Sequence, residues 1–256
     1  MKSPHVRRRS TRLVFVSGLA AALAVLPAIA AAAPPEGPHW SYTGAEGPAH
    51  WGAQFPQCGL GTQQSPIDLA GPFEKTAAPL AIDYHPSPLR IVDNGHTIQV
   101  DVAPGSGFTI GGERYELVQF HFHQPSEETF AGQHRAMVVH LVHRSAAGKL
   151  AVIGVPIVEG AANPLVATLW AHLPRAEGQE SATPTIAIDP AQLLPAERSY
   201  YRYTGSLTTP PCTEGVTFFI LRHPVEMSRA QIAAFPHPGN ARPVQARNGR
   251  PIAESE

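Results

Sequence analysis

The chain has 256 residues, 43% hydrophobic and 15% charged, with 19 basic against 20 acidic side chains and a formal net charge of −1. Beyond the basic N-terminal stretch, no basic stripe of the kind that binds nucleic acid remains. The 27 prolines and 22 glycines are scattered, which suits many short strands joined by tight loops.

Lys2, Arg7, Arg8, Arg9 and Arg12 form a basic start, Leu13 to Ile29 is apolar, and Ala30 to Ala33 is a run of small residues. Residues 1–30 therefore read as a secretory signal peptide, cleaved between 30 and 33, and the protein as exported. A membrane anchor is the alternative, but the apolar run is short and is broken by Gly18 and Pro27. Arg7-Arg8-Arg9-Ser10 only faintly suggests twin-arginine export. Removing the segment's five basic residues from 19 leaves 14 against 20 acidic ones, a net charge of −6. Residues 34–256 then form one β-rich domain, long enough for a core of its own.

Further along the chain, Cys58 and Cys212 default in an exported protein to one disulfide. It would close a loop of about 155 residues and stabilise by about 4–5 kcal/mol in the chain-entropy treatment. Ile98, Val100 and Val102 alternate with Gln99 and Asp101, as a half-buried strand should. In the next strand Val118, Phe120 and Phe122 oppose Gln119, His121 and His123. In the one after it Val138, His140 and Val142 oppose Met137, Val139 and Leu141. Strands are also expected over Leu150–Val158 and Val216–Leu221. Asn163 can cap a helix that has Pro164 at its first position, and Ser228 can cap Arg229–Phe235. The fold class is mainly β, a single domain with a few short peripheral helices.

Residues two apart on a strand share a face, about 6–7 Å apart, so His121 and His123 can converge on one ion while a neighbouring strand supplies His140. Three imidazoles leave a tetrahedral zinc with one open position, the mark of a catalytic rather than a structural site. A lone His-x-His in a strand is more often incidental, so this reading needs support from elsewhere. The spacing to Glu127 also fits the first motif of a cupin. That fold wants a Pro-x-Gly-x-x-His context for its last ligand, which Gln133 to His140 does not provide.

The support comes from ordered motifs. Gln64-Ser65-Pro66-Ile67-Asp68, Asn94-Gly95-His96, Gln119-Phe120-His121-Phe122-His123, Pro125-Ser126-Glu127, His140-Leu141-Val142-His143, Gly205-Ser206-Leu207-Thr208-Thr209-Pro210-Pro211 and Asn240-Ala241-Arg242-Pro243-Val244-Gln245 follow one another. This chain resembles an α-class carbonic anhydrase of the bacterial periplasmic type with a disulfide, from about His39 to Ile252. The resemblance implies a large twisted, mostly antiparallel central sheet and one Zn²⁺ per chain on His121, His123 and His140. It also implies reversible hydration of carbon dioxide to bicarbonate and a proton by attack of zinc-bound hydroxide. The partners would be carbon dioxide and bicarbonate, with no nucleic acid and no membrane span after processing; a homodimer is left open.

By the same resemblance Thr208 accepts a hydrogen bond from the hydroxide and donates one to Glu127, which orients the hydroxide, while Thr209 lines the pocket. Val142, Val152, Leu207 and Phe218 would form an apolar wall for carbon dioxide, with Phe218 standing where the family usually has Trp. His96 matches the proton shuttle, and Tyr42, Asn94 and Gln99 would hold the water chain that leads to it. Gln119 and the Asn240 carbonyl would accept from the outer nitrogens of His121 and His123. Here the sequence departs from the family: the third ligand's acceptor is usually a glutamate two residues before it, where this chain has Val138. A weaker hold on zinc, or slower catalysis, is expected unless another group substitutes. Non-catalytic relatives that use the fold for binding usually lack one or more of the ligand histidines, whereas this chain has all three.

Overall fold

Alternating β-branched and aromatic residues, punctuated by Gly and Pro, put most of the chain into strands. The computed structural model describes residue 1, residues 39–76 and residues 78–256; the expected signal peptide and its cleavage point lie outside the described residues. The early strands are β1 (Asp68–Leu69), β2 (Glu74–Thr76), β3 (Ala81–Asp83), β4 (Ser87–Asp93), β5 (Ile98–Asp101) and β6 (Gly107–Ile110). The central ones are β7 (Glu113–His123), β8 (Thr129–Phe130), β9 (Gln133–His134), β10 (Met137–Ser145) and β11 (Leu150–Glu159). Then come β12 (Glu180–Ile188), β13 (Tyr200–Ser206), β14 (Glu214–Leu221), β15 (Val225–Met227) and β16 (Ala253–Ser255). Among the described residues four short α-helices accompany them: α1 (Trp51–Gln54), α2 (Pro56–Leu60), α3 (Pro164–Trp170) and α4 (Arg229–Ala233).

The large sheet runs β12-β4-β5-β7-β10-β11-β14-β13-β16-β2, with β3, β6 and β15 attached at its sides. Most neighbours are antiparallel, but β11 pairs in parallel with both β14 and β15, and β16 with β2, so the sheet is mixed. Its main core cluster takes Phe120 and Phe122 from β7, Met137, Val139 and Leu141 from β10, and Ile153, Val155 and Ile157 from β11. A second cluster on the other side includes Val152, Tyr203, Phe218 and Ile220.

One expected core residue is not in the core. Val118 is 40% exposed. Between β7 and β10 the register runs from Gln119 opposite Val142 straight to Leu117 opposite His143, so Val118 is the extra residue of a β-bulge. A bulge leaves its residue unpaired and resets the alternation. Before the bulge Tyr115 and Leu117 therefore supply the core face, and after it Phe120 and Phe122 do.

Both helix caps form as the sequence predicts. The Asn163 side chain accepts from Leu165 N and Val166 N with Pro164 at the first position, and Ser228 with Gln231 makes a capping box. α4 stops at Ala233, short of the expected Phe235. Pro236 follows, and the residue before a proline is disfavoured in the α region. Cys58 of α2 is disulfide-bonded to Cys212 in the turn between β13 and β14. Among the described residues no helix is long and apolar enough to cross a membrane.

Candidate metal centre

His121 and His123 lie on one face of β7, and His140 of β10 is the direct cross-strand partner of His121. Their ring centroids are 4.9 to 5.6 Å apart, and one ligand atom from each lies within 4.8 Å of the others. Gly154 of β11 lies directly opposite His140. A Cβ there would stand 2.5 Å from the Ile220 side chain and 3.5 Å from His140 Cδ2, so glycine leaves room for the imidazole. Among the described residues this is the one group of histidine, cysteine or carboxylate side chains assembled closely enough to hold a metal.

The outer nitrogens decide which atoms face inward. His121 Nδ1 donates to Gln119 Oε1 at 2.9 Å, and His123 Nδ1 to the Asn240 carbonyl at 2.8 Å. Each therefore keeps Nε2 for a metal, and His123 Nε2 is buried with no partner among the described residues. His140 turns the other way: its Nε2 faces Glu128 Oε2 at 3.5 Å, which leaves Nδ1 toward the cluster. Burial, and then the neighbouring His140 charge, lower His121 to about 3 and His123 well below its ordinary value, so both are neutral imidazoles fit for ligation. Burial also pulls His140 down, but the adjacent Glu128 and then Glu127 outweigh it and leave its pKa raised.

Glu127 and Glu128 are 0% and 1% exposed, and each has one carboxylate oxygen without a partner among the described residues. Buried carboxylates of this kind need a counter-charge. The Arg242 guanidinium does not provide it, because it donates to Gln64 Oε1, the Ser65 carbonyl and the Cys58 carbonyl. Glu127 Oε2 instead lies 3.5 Å from His123 Nε2 and 3.8 Å from His140 Nδ1, on the rim of the histidine cluster. An all-imidazole donor set beside two such carboxylates fits a divalent cation, and three nitrogens fit zinc with one position open.

Glu127 also accepts from the Arg242 backbone N–H at 3.0 Å. Burial pushes its carboxyl up to about 7, with Glu128 adding to that; the His140 charge, the Arg242 N–H and the Thr208 hydroxyl pull it down. Thr208 and Thr209 sit in the turn after β13, which is held by Leu207 N–H to the Thr213 carbonyl and Cys212 N–H to the Thr209 carbonyl, both 2.9 Å. The expected wall residues come together: Val152 and Phe218 lie in the second apolar cluster, with Val142 and Leu207 packed against it. Phe218 is 6.1 Å from the His140 ring, centroid to centroid.

A cavity of about 130 Å³ opens beside the cluster, lined by His121, His123, Thr209, Gln99, Tyr42 and His96 among others. Asn94 shares this lining, but its side-chain oxygen already accepts from the His96 and Thr97 N–H groups. Gln99 Nε2 donates to Asp101 at 2.7 Å. The Asn240 side chain ties the His96 loop to β7 by donating to the His96 and Phe122 carbonyls. Burial keeps the Tyr42 phenol protonated. His96 is partly buried and its pKa is lowered, by burial first and then by the His39 charge. A larger cavity, about 660 Å³, lies near the far end of the sheet by Lys75, Tyr200 and Ser255, and none of the three histidines lines it.

Two groups were not expected from the sequence. Trp40 stacks on His96, with centroids 3.7 Å apart and planes 13° apart. Glu128, the neighbour of Glu127, is the second; the signal in the sequence that points to it is Val138, which leaves His140 without the acceptor that the family resemblance implies. Val138 is buried beside the site, opposite His123.

Comparison with known proteins agrees with this geometry. A family model described as eukaryotic-type carbonic anhydrase matches residues 46–256. A carbonic anhydrase of Klebsiella pneumoniae is 43% identical over 224 residues, covering 84% of this chain and 91% of that protein. One from Nostoc sp. is 41% identical over 227 residues, covering 85% and 86%. The solved α-carbonic anhydrase of Thermovibrio ammonificans, in complex with the inhibitor sulfanilamide, matches with a TM-score of 0.80 at 41% identity, covering 86% of this chain and 100% of that one. The chain therefore belongs to the α-carbonic anhydrase family, a lyase family.

Proposed function

We propose that this protein hydrates carbon dioxide reversibly to bicarbonate and a proton, with one zinc ion held by His121 Nε2, His123 Nε2 and His140 Nδ1. The observation that carries the reading is the three-histidine cluster with its outer nitrogens turned to Gln119, Asn240 and Glu128. Zinc bound there would supply Lewis acidity, bringing a water's pKa to about 7, a value known from carbonic anhydrase itself rather than derived from this chain.

The remaining steps fall to the chain's own residues. The Thr208 hydroxyl donates a hydrogen bond to Glu127, so it can only accept one from the attacking oxygen, which would fix the direction of that oxygen's lone pair. Val142, Val152, Leu207 and Phe218 offer an apolar surface to a substrate without charge or dipole, and Thr209 faces the departing bicarbonate. The proton crosses the cavity past Tyr42, Asn94 and Gln99 to His96, an imidazole of ordinary pKa about 6.5 that partial burial lowers, and the side-chain type suited to accepting and releasing protons. Residues 1–30 act as the export signal, and the Cys58–Cys212 disulfide suits an oxidising compartment such as the periplasm.

The test is stopped-flow hydration per bound zinc, with zinc counted by elemental analysis. The parent should hold one zinc and be inhibited by a sulfonamide. His96→Ala should slow turnover in weak buffer, and added imidazole should restore it. Zinc without hydration would overturn the enzymatic reading, and equal turnover of variant and parent at every buffer concentration would overturn the shuttle.

A further inference from the structure

Val138 leaves His140 without the carboxylate that its place on β10 would otherwise supply, yet the outer nitrogen of His140 is not facing an apolar wall. His140 Nε2 and Glu128 Oε2 face each other at 3.5 Å, and neither has a hydrogen-bond partner among the described residues. Both side chains are sealed from solvent, His140 at 2% and Glu128 at 1% exposure. Glu128 is held from behind, because its other oxygen accepts from the Tyr203 hydroxyl at 3.1 Å. Tyr203 in turn stacks on Phe218, with centroids 4.9 Å apart and planes 7° apart. The carboxylate has a fixed direction, and that direction is the ring of the third histidine.

We infer that Glu128 is the positioning residue for His140, accepting from its Nε2–H and so fixing its tautomer with Nδ1 free for the metal, in place of a carboxylate at position 138. The assignment rests on His140 being a zinc ligand, as proposed above. A metal on Nδ1 requires the ring proton to sit on Nε2, the atom that faces Glu128. A histidine ligand whose outer N–H is held by a fixed acceptor keeps its tautomer and orientation. The carboxylate comes not from the strand that carries the ligand but from the turn that follows β7, so it approaches the ring from another segment of chain. Tyr203, which donates to the other oxygen of Glu128, belongs to the same relay.

The assignment makes a relocation test possible. Zinc release from the loaded protein into excess chelator is followed for the parent, Glu128→Gln, Glu128→Ala, Val138→Glu and the double variant Glu128→Ala/Val138→Glu. Loss of an acceptor behind a zinc histidine costs about 10–100-fold in affinity or activity, a range itself measured in carbonic anhydrase. Glu128→Ala should release zinc about 10–100-fold faster than the parent, and Glu128→Gln, which keeps an acceptor oxygen, by less. The double variant should return toward the parent rate, because position 138 shares a strand face with His140. Val138→Glu alone should bring no gain, since it buries a second carboxylate beside one already in use.

A second readout is independent of turnover: the His140 Nε2–H proton resonance of the zinc protein should lie far downfield and move upfield in Glu128→Gln. If Glu128→Ala does not fold, Glu128→Gln alone carries the decision. A parent that holds zinc while Glu128→Gln shows the parent release rate and an unmoved resonance would overturn the assignment and leave the zinc reading intact. A parent that binds no zinc would overturn both.

Discussion

His143 shows how much a single buried titratable residue can do away from the histidine cluster. It lies on the core face of β10, fully buried, with Nε2 against the Tyr84 hydroxyl at 2.8 Å and the Phe108 ring 4.8 Å away. Burial, aided by the Arg114 charge, lowers its pKa to about 3. A histidine depressed below its unfolded value near 6.5 contributes stability that is complete above that pH and is lost as pH falls toward the folded value. Each pH unit in that window is worth about 1.4 kcal/mol. Relative to His143→Gln, the parent should therefore lose about 2 kcal/mol of unfolding free energy between pH 6.5 and pH 5, measured by urea titration of the metal-free proteins. A gap that stays constant with pH would contradict it. Residues of this kind are only partly legible in a sequence. His121, His123 and His140 could be read because strand period and motif order both point to them. Glu128 could not, because its role depends on where a turn delivers a carboxylate, which no spacing rule gives.

At the scale of elements, the strands that alternate cleanly were legible: β5, β10, β11 and β14 lie close to where their patterns place them. The bulge at Val118 was not, because one extra residue looks like ordinary alternation until a partner strand fixes the register. Short strands such as β2, at the edge of the sheet, and β16 beside it carry too few residues to show a period at all. The disulfide was legible from cysteine count and compartment, but not its local purpose of joining α2 to the turn that carries Thr208 and Thr209. That turn has other supports: Gln64 Nε2 donates to the Cys212 carbonyl at 3.1 Å, and the turn's own backbone bonds remain without the disulfide. The cross-link should therefore matter for stability more than for turnover. Its loop spans a sequence separation of 154. Reduction should cost about 5 kcal/mol on chain entropy, seen as a lower denaturant midpoint, while hydration per zinc without denaturant stays within about twofold. An unchanged midpoint would argue against the loop-closure account. A collapse in turnover would mean that the turn depends on the disulfide after all.

For the whole molecule, the two faces of β7 and β10 separate folding from chemistry. Phe120, Phe122, Met137, Val139 and Leu141 pack into the main core, while His121, His123 and His140 alternate with them on the other face. The core should thus form without metal, and chelation should leave the β-sheet circular dichroism in place. The metal-free fold nonetheless carries a cost: Glu127 and Glu128 are buried with an unpartnered oxygen each, and a divalent cation is the charge that would balance them. A ligand that binds only the folded state adds stability by mass action, about 2.7 kcal/mol when its free concentration is 100 times its Kd. For a domain of this size about 1 kcal/mol corresponds to 2–4 °C, so zinc at that excess should raise Tm by about 5–11 °C over the chelated protein. Calorimetry on the protein with and without zinc checks this, and magnesium, which prefers six oxygen ligands, serves as the control. Equal midpoints with zinc and with magnesium would mean that the histidine cluster is not a selective metal centre. A chelated protein that lost its sheet signal would mean that the metal organises the fold itself, against the separation of faces that the strand register sets.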